Sequence, residues 1–106
     1  METLFLTHPT CRLHDMGQAH PECPERLDAI SDQLLSSGII NYIQTDEVMN
    51  PASDEHLLRV HAPAHLERLA GWLPTEGVYD IDGDTLMNPH TLDAARHAAG
   101  VVIQAV

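Results

Sequence analysis

The stretch His20-Pro-Glu-Cys-Pro-Glu-Arg-Leu27 is the most specific segment of this 106-residue sequence. A histidine and a proline open it, and an acid, Glu25, directly follows the second proline, Pro24. Proline is tolerated in the first turn of an α-helix, and the helix dipole favours an acid there. From Pro24 onward, apolar side chains recur with helical spacing at Leu27, Ile30, Leu34 and Leu35. The stretch therefore predicts a loop that leads into a helix, for which Gly38 is a suitable C-terminal cap.

Two apolar runs predict short strands on either side of this helix. Leu4-Phe5-Leu6 has the pattern of a buried strand, and the run 39–43 (IINYI) resembles a second one. The segment from Thr7 to Pro24 is rich in His, Pro and Gly and has no periodicity. Because long ordered loops in compact domains tend to carry function, this segment is a candidate for a functional loop.

Three further helices are predicted from their start signals. Ser53 is an N-cap before the run 54–60, whose first turn contains two acids. Pro63 begins a helix, and Asn88-Pro89 is a good N-cap and first-position pair for a last one. The apolar stripe of the last helix continues to Val106, which predicts that chain 1–106 is a single incomplete domain, without a linker, from the N-terminal part of a larger α/β protein.

Composition excludes several classes of function. Sixteen acids oppose five basic residues, all arginine, for a net charge of −11. Such a surface repels nucleic-acid phosphates and anionic membranes, so neither is an expected partner. The two cysteines lack C-x-x-C spacing, which predicts free thiols. The N-terminus has neither a basic region nor a long apolar stretch, and together these features predict a cytoplasmic protein.

Local clusters of ligand-type residues are weak evidence for a metal site. His61 and His65 have helical i, i+4 spacing, but Pro63 lies between them. The segment 54–56 (DEH) follows an N-cap, which favours helix capping over metal binding. The run 80–86 (DIDGDTL) starts like a calcium loop but lacks its glycine and final glutamate, and its similarity to a phosphatase nucleophile motif is poor. A solvated acidic loop is the simpler interpretation.

Three segments together resemble the histone deacetylase superfamily, particularly bacterial class II-like and acetoin-utilisation-type members. Residues 6–30 resemble its N-terminal signature H-x-x-C-x-x-H-x-x-G-x-x-H-P-E-x-P-x-R-L. Residues 57–69 (LLRVHAPAHLERL) resemble its next helical segment, and residues 82–100 (DGDTLMNPHTLDAARHAAG) the segment that leads to the catalytic half. The three occur in the family's order with similar spacing.

The resemblance implies the arginase/deacetylase α/β architecture, in which helices flank a parallel sheet. In this chain it would consist mostly of helices and long loops, with one or two short strands. It also implies zinc-assisted hydrolysis of an acetylated amine such as acetyl-lysine or acetylpolyamine. The family's zinc ligands and catalytic residues have no counterpart here, so the sequence predicts no catalytic residue, no metal ligand and no bound zinc for this chain alone, which we expect to be inactive by itself.

The resemblance assigns roles to five residues of this chain. Asp84 matches the aspartate at the rim of the active site, which accepts hydrogen bonds from substrate backbone N–H groups, and Asp82 is its nearest rival. Arg26 matches an arginine beside the internal channel, where it helps to guide released acetate. The loop residues His20, Pro21 and Glu22 match the floor of the site. Cys23 departs from the basic residue that is commoner at its position.

The sequence also leaves a non-enzymatic function open. A free-standing chain with an exposed apolar last helix would pair with itself or bind a partner through that face. A downstream continuation containing zinc ligands would favour the deacetylase, and its absence would favour the binding module.

Overall fold

The computed structural model describes residues 2–17, 19–47 and 50–106. Within these ranges, four short strands and four α-helices follow one another as β1 (Leu4–Thr7), α1 (Glu25–Ser36), β2 (Gln44–Glu47), α2 (Asp54–Leu57), α3 (Pro63–Trp72), β3 (Tyr79–Asp80), β4 (Leu86–Met87) and α4 (Thr91–Ala105). Two 3-10 helices, Pro9–Arg12 and Ile39–Tyr42, precede α1 and β2.

The first half of the chain is a β-α-β unit. Strand β1 pairs in parallel with β2, so that Leu4 lies opposite Gln44 and Thr7 opposite Glu47. Parallel neighbours need a crossover connection, and α1 supplies it. Phe5 is half-buried, as expected for an apolar strand, whereas all four residues of β2 are exposed. The predicted first strand and the α/β fold class are both confirmed.

The second strand lies after the segment that the sequence indicated. The apolar run 39–43 was predicted as a strand, and this was wrong, because its first four residues form a 3-10 helix. Gly38 turns the chain with a φ of 80°, and its carbonyl accepts a hydrogen bond from the Asn41 N–H at 3.1 Å. Extended structure begins at Gln44, whose N–H donates to the carbonyl of Thr3 at 2.9 Å.

Gly38 terminates α1 as predicted, and its backbone conformation is one that other residues adopt at a cost. Replacing Gly38 with alanine is expected to lower the free energy of unfolding by about 1 kcal/mol, because a Cβ is disfavoured at positive φ. Gly71 is the matched control, since it lies inside α3 with open space around it. Gly71→Ala should stabilise by roughly 0.5 kcal/mol. Urea unfolding measures both, and a loss of equal size at the two positions would contradict this account.

Local capping explains where α2 and α3 begin. Ser53 accepts a hydrogen bond from the His56 N–H at 3.3 Å, and His56 in return accepts one from the Ser53 N–H. This capping box confirms the predicted N-cap, although the helix ends at Leu57 rather than at residue 60. Pro63 is the first residue of α3, as predicted.

The last helix, α4, begins later than the sequence indicated. Asn88 and Pro89 were predicted as its N-cap and first residue, but they form the turn before it, and α4 begins at Thr91. The Asn88 side-chain oxygen accepts a hydrogen bond from the His90 N–H at 3.0 Å. Such an Asx turn satisfies the backbone outside the helix, which moves the helix start two residues along.

Helix α4 packs against β1 and the 3-10 helix Pro9–Arg12 and ties the second half of the chain to the first. The buried apolar side chains in the described ranges are few: Met16, Ala52, Met87 and Ala94. Arg96 joins α4 to the start of α2, because its guanidinium forms an ion pair with Asp54 at 2.7 Å and donates a hydrogen bond to the Ala52 carbonyl at 3.3 Å. The Arg96 carbonyl in turn accepts a hydrogen bond from the Ala52 N–H at 2.9 Å. Within the described part of the chain, we find no helix with the length and apolarity that a bilayer crossing requires.

Candidate functional site

The acidic loop between β3 and β4 is held together by its own carboxylates. β3 and β4 form an antiparallel hairpin, in which Tyr79 lies opposite Met87. Asp80 accepts a hydrogen bond from the Gly83 N–H. Asp82 accepts hydrogen bonds from the backbone N–H of Asp84 at 3.0 Å and of Thr85 at 2.7 Å, and these bonds lower the pKa of its carboxyl group. Asp80 and Asp82 therefore shape the loop.

Asp84 differs from its neighbours because its side chain contacts a distant part of the sequence. The His20 ring nitrogen Nε2 lies 3.0 Å from Asp84 Oδ1 and 3.1 Å from the Asp84 carbonyl oxygen. The His20 side chain is 18% exposed, whereas that of Asp84 is 92% exposed. The contact therefore joins a mostly buried imidazole of one loop to a solvent-facing carboxylate of another.

A cavity of about 520 Å³ lies behind these loops, between α1, α4 and the β3–β4 hairpin. Its walls are mostly apolar side chains, among them Met16, Leu27, Leu69, Met87 and Leu92. Polar groups enter it from the N-terminal loop, the start of α1 and the start of α4: Cys11, His14, Glu22, Arg26 and Thr91. An apolar pocket with a few convergent polar groups is the usual form of a small-molecule site.

His14 organises the polar side of this cavity. Its Nδ1 lies 2.7 Å from the Thr91 hydroxyl, and its Nε2 lies 3.7 Å from the Glu22 carboxylate. Thr91 also accepts the Asn88 N–H at 2.8 Å, so the cluster joins the N-terminal loop to the beginning of α4. No role was predicted for His14 from the sequence, although it is the second histidine of the N-terminal signature.

Cys11 contributes a thiol to the same cavity. Its Sγ lies 3.9 Å from the carbonyl oxygen of Ala94. Burial raises the pKa of the Cys11 thiol, only partly offset by a backbone hydrogen bond with His8. Both Cys11 and Cys23 are free and half-buried. A neutral thiol at this position is a packing group and a poor nucleophile.

The structure brings four of the five predicted site residues into two groups. His20 and Asp84 are in direct contact, and Glu22 and Arg26 line one cavity. Pro21 is exposed and belongs to neither group. Three residues of the N-terminal signature are thus placed in these groups: His20 contacts the hairpin loop, and Glu22 and Arg26 line the cavity beside it.

The residues considered as metal ligands do not form a metal centre. His56 belongs to the capping box, and the rings of His61 and His65 lie 5.1 Å apart at a tilt of 32°. In residues 2–17, 19–47 and 50–106, no group of three or more His, Cys, Asp or Glu side chains is arranged to hold a metal ion. The described residues therefore do not fit a catalytic zinc.

Similarity to a solved structure identifies the fold of the chain. The crystal structure of the HDA15 HD domain superposes with a TM-score of 0.78 and 24% sequence identity, over 93% of this chain and 29% of that one. The β-α-β unit, the hairpin and α4 are thus part of a histone deacetylase-type α/β fold.

Sequence similarity then identifies the family. The model of the histone deacetylase domain matches residues 20–106, and the chain belongs to this family. An uncharacterized protein of Synechocystis sp. is 37% identical over 87 residues, which are 80% of this chain and 28% of that protein. The histone deacetylase-like amidohydrolase of Pseudomonas aeruginosa is 36% identical over 87 residues, 82% of this chain and 22% of the relative. The chain spans about a quarter of the length of these relatives.

Proposed function

We propose that this chain forms the substrate-entrance part of a zinc-dependent deacetylase-type hydrolase. The substrate would be an acetylated amine, such as acetyl-lysine or acetylpolyamine. The observation that carries the proposal is the contact between His20 and Asp84, which holds an exposed carboxylate at a fixed place on the hairpin loop. Membership of the histone deacetylase family and similarity to an amidohydrolase of Pseudomonas aeruginosa support the reaction class.

Asp84 would bind the substrate in this proposal. A carboxylate only accepts hydrogen bonds, so its partners are N–H groups or cations. A backbone N–H beside an acetylated lysine fits this requirement. Asp82 is less suited to the role, because Asp84 and Thr85 already occupy its oxygens.

Arg26 and the cavity would receive the product. Hydrolysis of an acetylated amine releases acetate, and a guanidinium pairs well with a carboxylate. Arg26 lines the cavity, whose volume far exceeds that of one acetate ion. The neighbouring Glu22 carboxylate would repel the acetate. A positive charge on the His14 imidazole, which lies 3.7 Å from Glu22, would offset this repulsion.

The zinc of this proposal needs ligands that the described residues do not bring together. We propose the cytoplasm as the location, consistent with free cysteines, and no nucleic-acid or membrane partner, consistent with the charge of −11.

Zinc analysis and turnover of an acetyl-lysine peptide by the complete protein test the proposed function together. We expect about one zinc per active site and release of acetate that stops on chelation and returns with zinc. Absence of both activity and zinc would overturn the proposal.

One structural observation favours a second function, a non-enzymatic module that associates through α4. Val102 is 64% exposed, and Ile103 and Val106 are also exposed. Such a surface would pair with a second copy or another protein. Concentration-dependent self-association in sedimentation, without zinc or turnover, would support this alternative over the hydrolase.

A further inference from the structure

We infer that His20 is a positioning residue: its neutral imidazole, protonated on Nε2, holds the Asp84 carboxylate in the orientation that binds substrate. The inference rests on the proposed function, since it gives Asp84 the substrate-binding role. It adds a residue that acts through Asp84 and that need not touch the substrate itself.

The hydrogen bonds of His20 determine where its proton lies. The Glu22 backbone N–H points to His20 Nδ1 at 3.0 Å. A backbone N–H only donates, so Nδ1 must accept and carries no proton. The single proton of the neutral ring is then on Nε2, which faces Asp84 Oδ1 at 3.0 Å and the Asp84 carbonyl oxygen at 3.1 Å. Both oxygens can accept a hydrogen bond from this Nε2–H.

The surroundings make His20 the fixed member of the pair. Its side chain is 18% exposed, whereas that of Asp84 is 92% exposed and lies in a loop between two two-residue strands. Asp80 and Asp82 bind backbone N–H groups inside the loop itself, at Gly83 and Asp84. The contact with His20 joins Asp84 to a residue that lies 64 positions earlier in the sequence.

Fixing the carboxylate in advance favours binding. An exposed side chain that must be immobilised by its ligand loses rotamer freedom, and this loss opposes association. His20 engages Oδ1 and the backbone carbonyl of Asp84, and the exposed remainder of the carboxylate can accept a substrate N–H. Because the imidazole donates this hydrogen bond without carrying a positive charge, it does not offset the charge of the carboxylate that the substrate N–H would meet.

A double-mutant cycle on the complete protein, assayed with an acetyl-lysine peptide, tests this role. His20→Ala is expected to raise KM about fivefold, the effect of losing one hydrogen bond, and to change kcat less than twofold. His20→Gln, which retains an amide N–H donor, should recover part of the loss. In an Asp84→Ala background, His20→Ala should have no further effect, because its role passes through Asp84. Additive effects of the two substitutions would overturn the inference.

The single variants separate this inference from the proposed function. If Asp84→Ala leaves KM unchanged, the substrate-binding role of Asp84 fails and the inference fails with it. If Asp84→Ala raises KM and His20→Ala does not, only the role of His20 is refuted.

A spectroscopic measurement on the unmodified protein is independent of activity and of variant folding. Long-range ¹H–¹⁵N NMR correlations report which ring nitrogen carries the proton. We expect the neutral His20 ring to be protonated on Nε2. A ring protonated on Nδ1 cannot accept the Glu22 N–H and would contradict the inference directly.

Discussion

Replacing Met87 with alanine is expected to lower the free energy of unfolding by roughly 2–3 kcal/mol. Met87 is 2% exposed, and Met16, Ala52 and Ala94 are the other buried apolar residues in the described ranges. Truncating a buried methionine removes apolar contacts and leaves a space, at a cost that depends on how far the neighbours can close in. Met87 also lines the 520 Å³ cavity, so on that side it has fewer protein contacts to lose. This places the expected loss in the lower part of the usual range for such substitutions.

Urea unfolding followed by circular dichroism measures this loss, with Leu35→Ala as the matched control. Leu35 is a large aliphatic residue on α1 that is 64% exposed. Its truncation should change the free energy of unfolding by no more than about 0.5 kcal/mol. If both variants lose the same amount of stability, Met87 is not a core residue in the complete protein.

Signals confined to a few neighbouring residues predicted most of the helical structure. Ser53 marks a helix start because its side-chain oxygen accepts a hydrogen bond from a backbone N–H of the first turn. Pro63 marks one because the first helical residue does not need the backbone N–H that proline lacks. Gly38 marks a helix end for a similar reason, since its φ of 80° is available to glycine without strain. These effects act within a few neighbouring residues, so the local sequence is enough to predict them.

The strands were less predictable because pairing partners determine them. β2 (Gln44–Glu47) is polar and exposed, so its sequence gives no apolar signal, and it is extended because it hydrogen-bonds to β1. β3 and β4 contain two residues each, too few for any periodicity. The apolar run before β2 was a misleading signal, because its first four residues form a 3-10 helix with no buried side chain, and Ile39 is 49% exposed.

The candidate site shows the same division between local and distant information. Asp82 and Asp84 are the same residue type two positions apart, so the sequence alone does not distinguish them. They differ in what they contact, since Asp82 binds its own loop and Asp84 meets His20. The interaction of His14 with Thr91 spans 77 positions and likewise depends on the fold. Family resemblance indicated His20 and Asp84 as separate site residues; their contact is a tertiary feature.

Asp84→Ala is expected to lower kcat/KM for an acetyl-lysine peptide roughly tenfold in the complete protein. One hydrogen bond between a charged acceptor and a substrate N–H contributes about 1.5 kcal/mol, which corresponds to that factor. The side chain is 92% exposed, so solvent competition excludes a much larger effect. We expect KM to carry the change if the carboxylate binds substrate equally in the ground state and the transition state.

Two comparisons make the Asp84 result specific. Turnover of a small N-acetylated amine without a peptide backbone should be nearly unaffected, because it offers no backbone N–H to the carboxylate. Asp32→Ala, which removes an exposed acid from α1, controls for the change in net charge and should leave kcat/KM for the peptide within twofold. Zinc content should stay at the level of the unmodified protein in both variants. Loss of zinc from Asp84→Ala would refute the rim assignment, since it would place this carboxylate in the support of the metal rather than at the entrance for substrate.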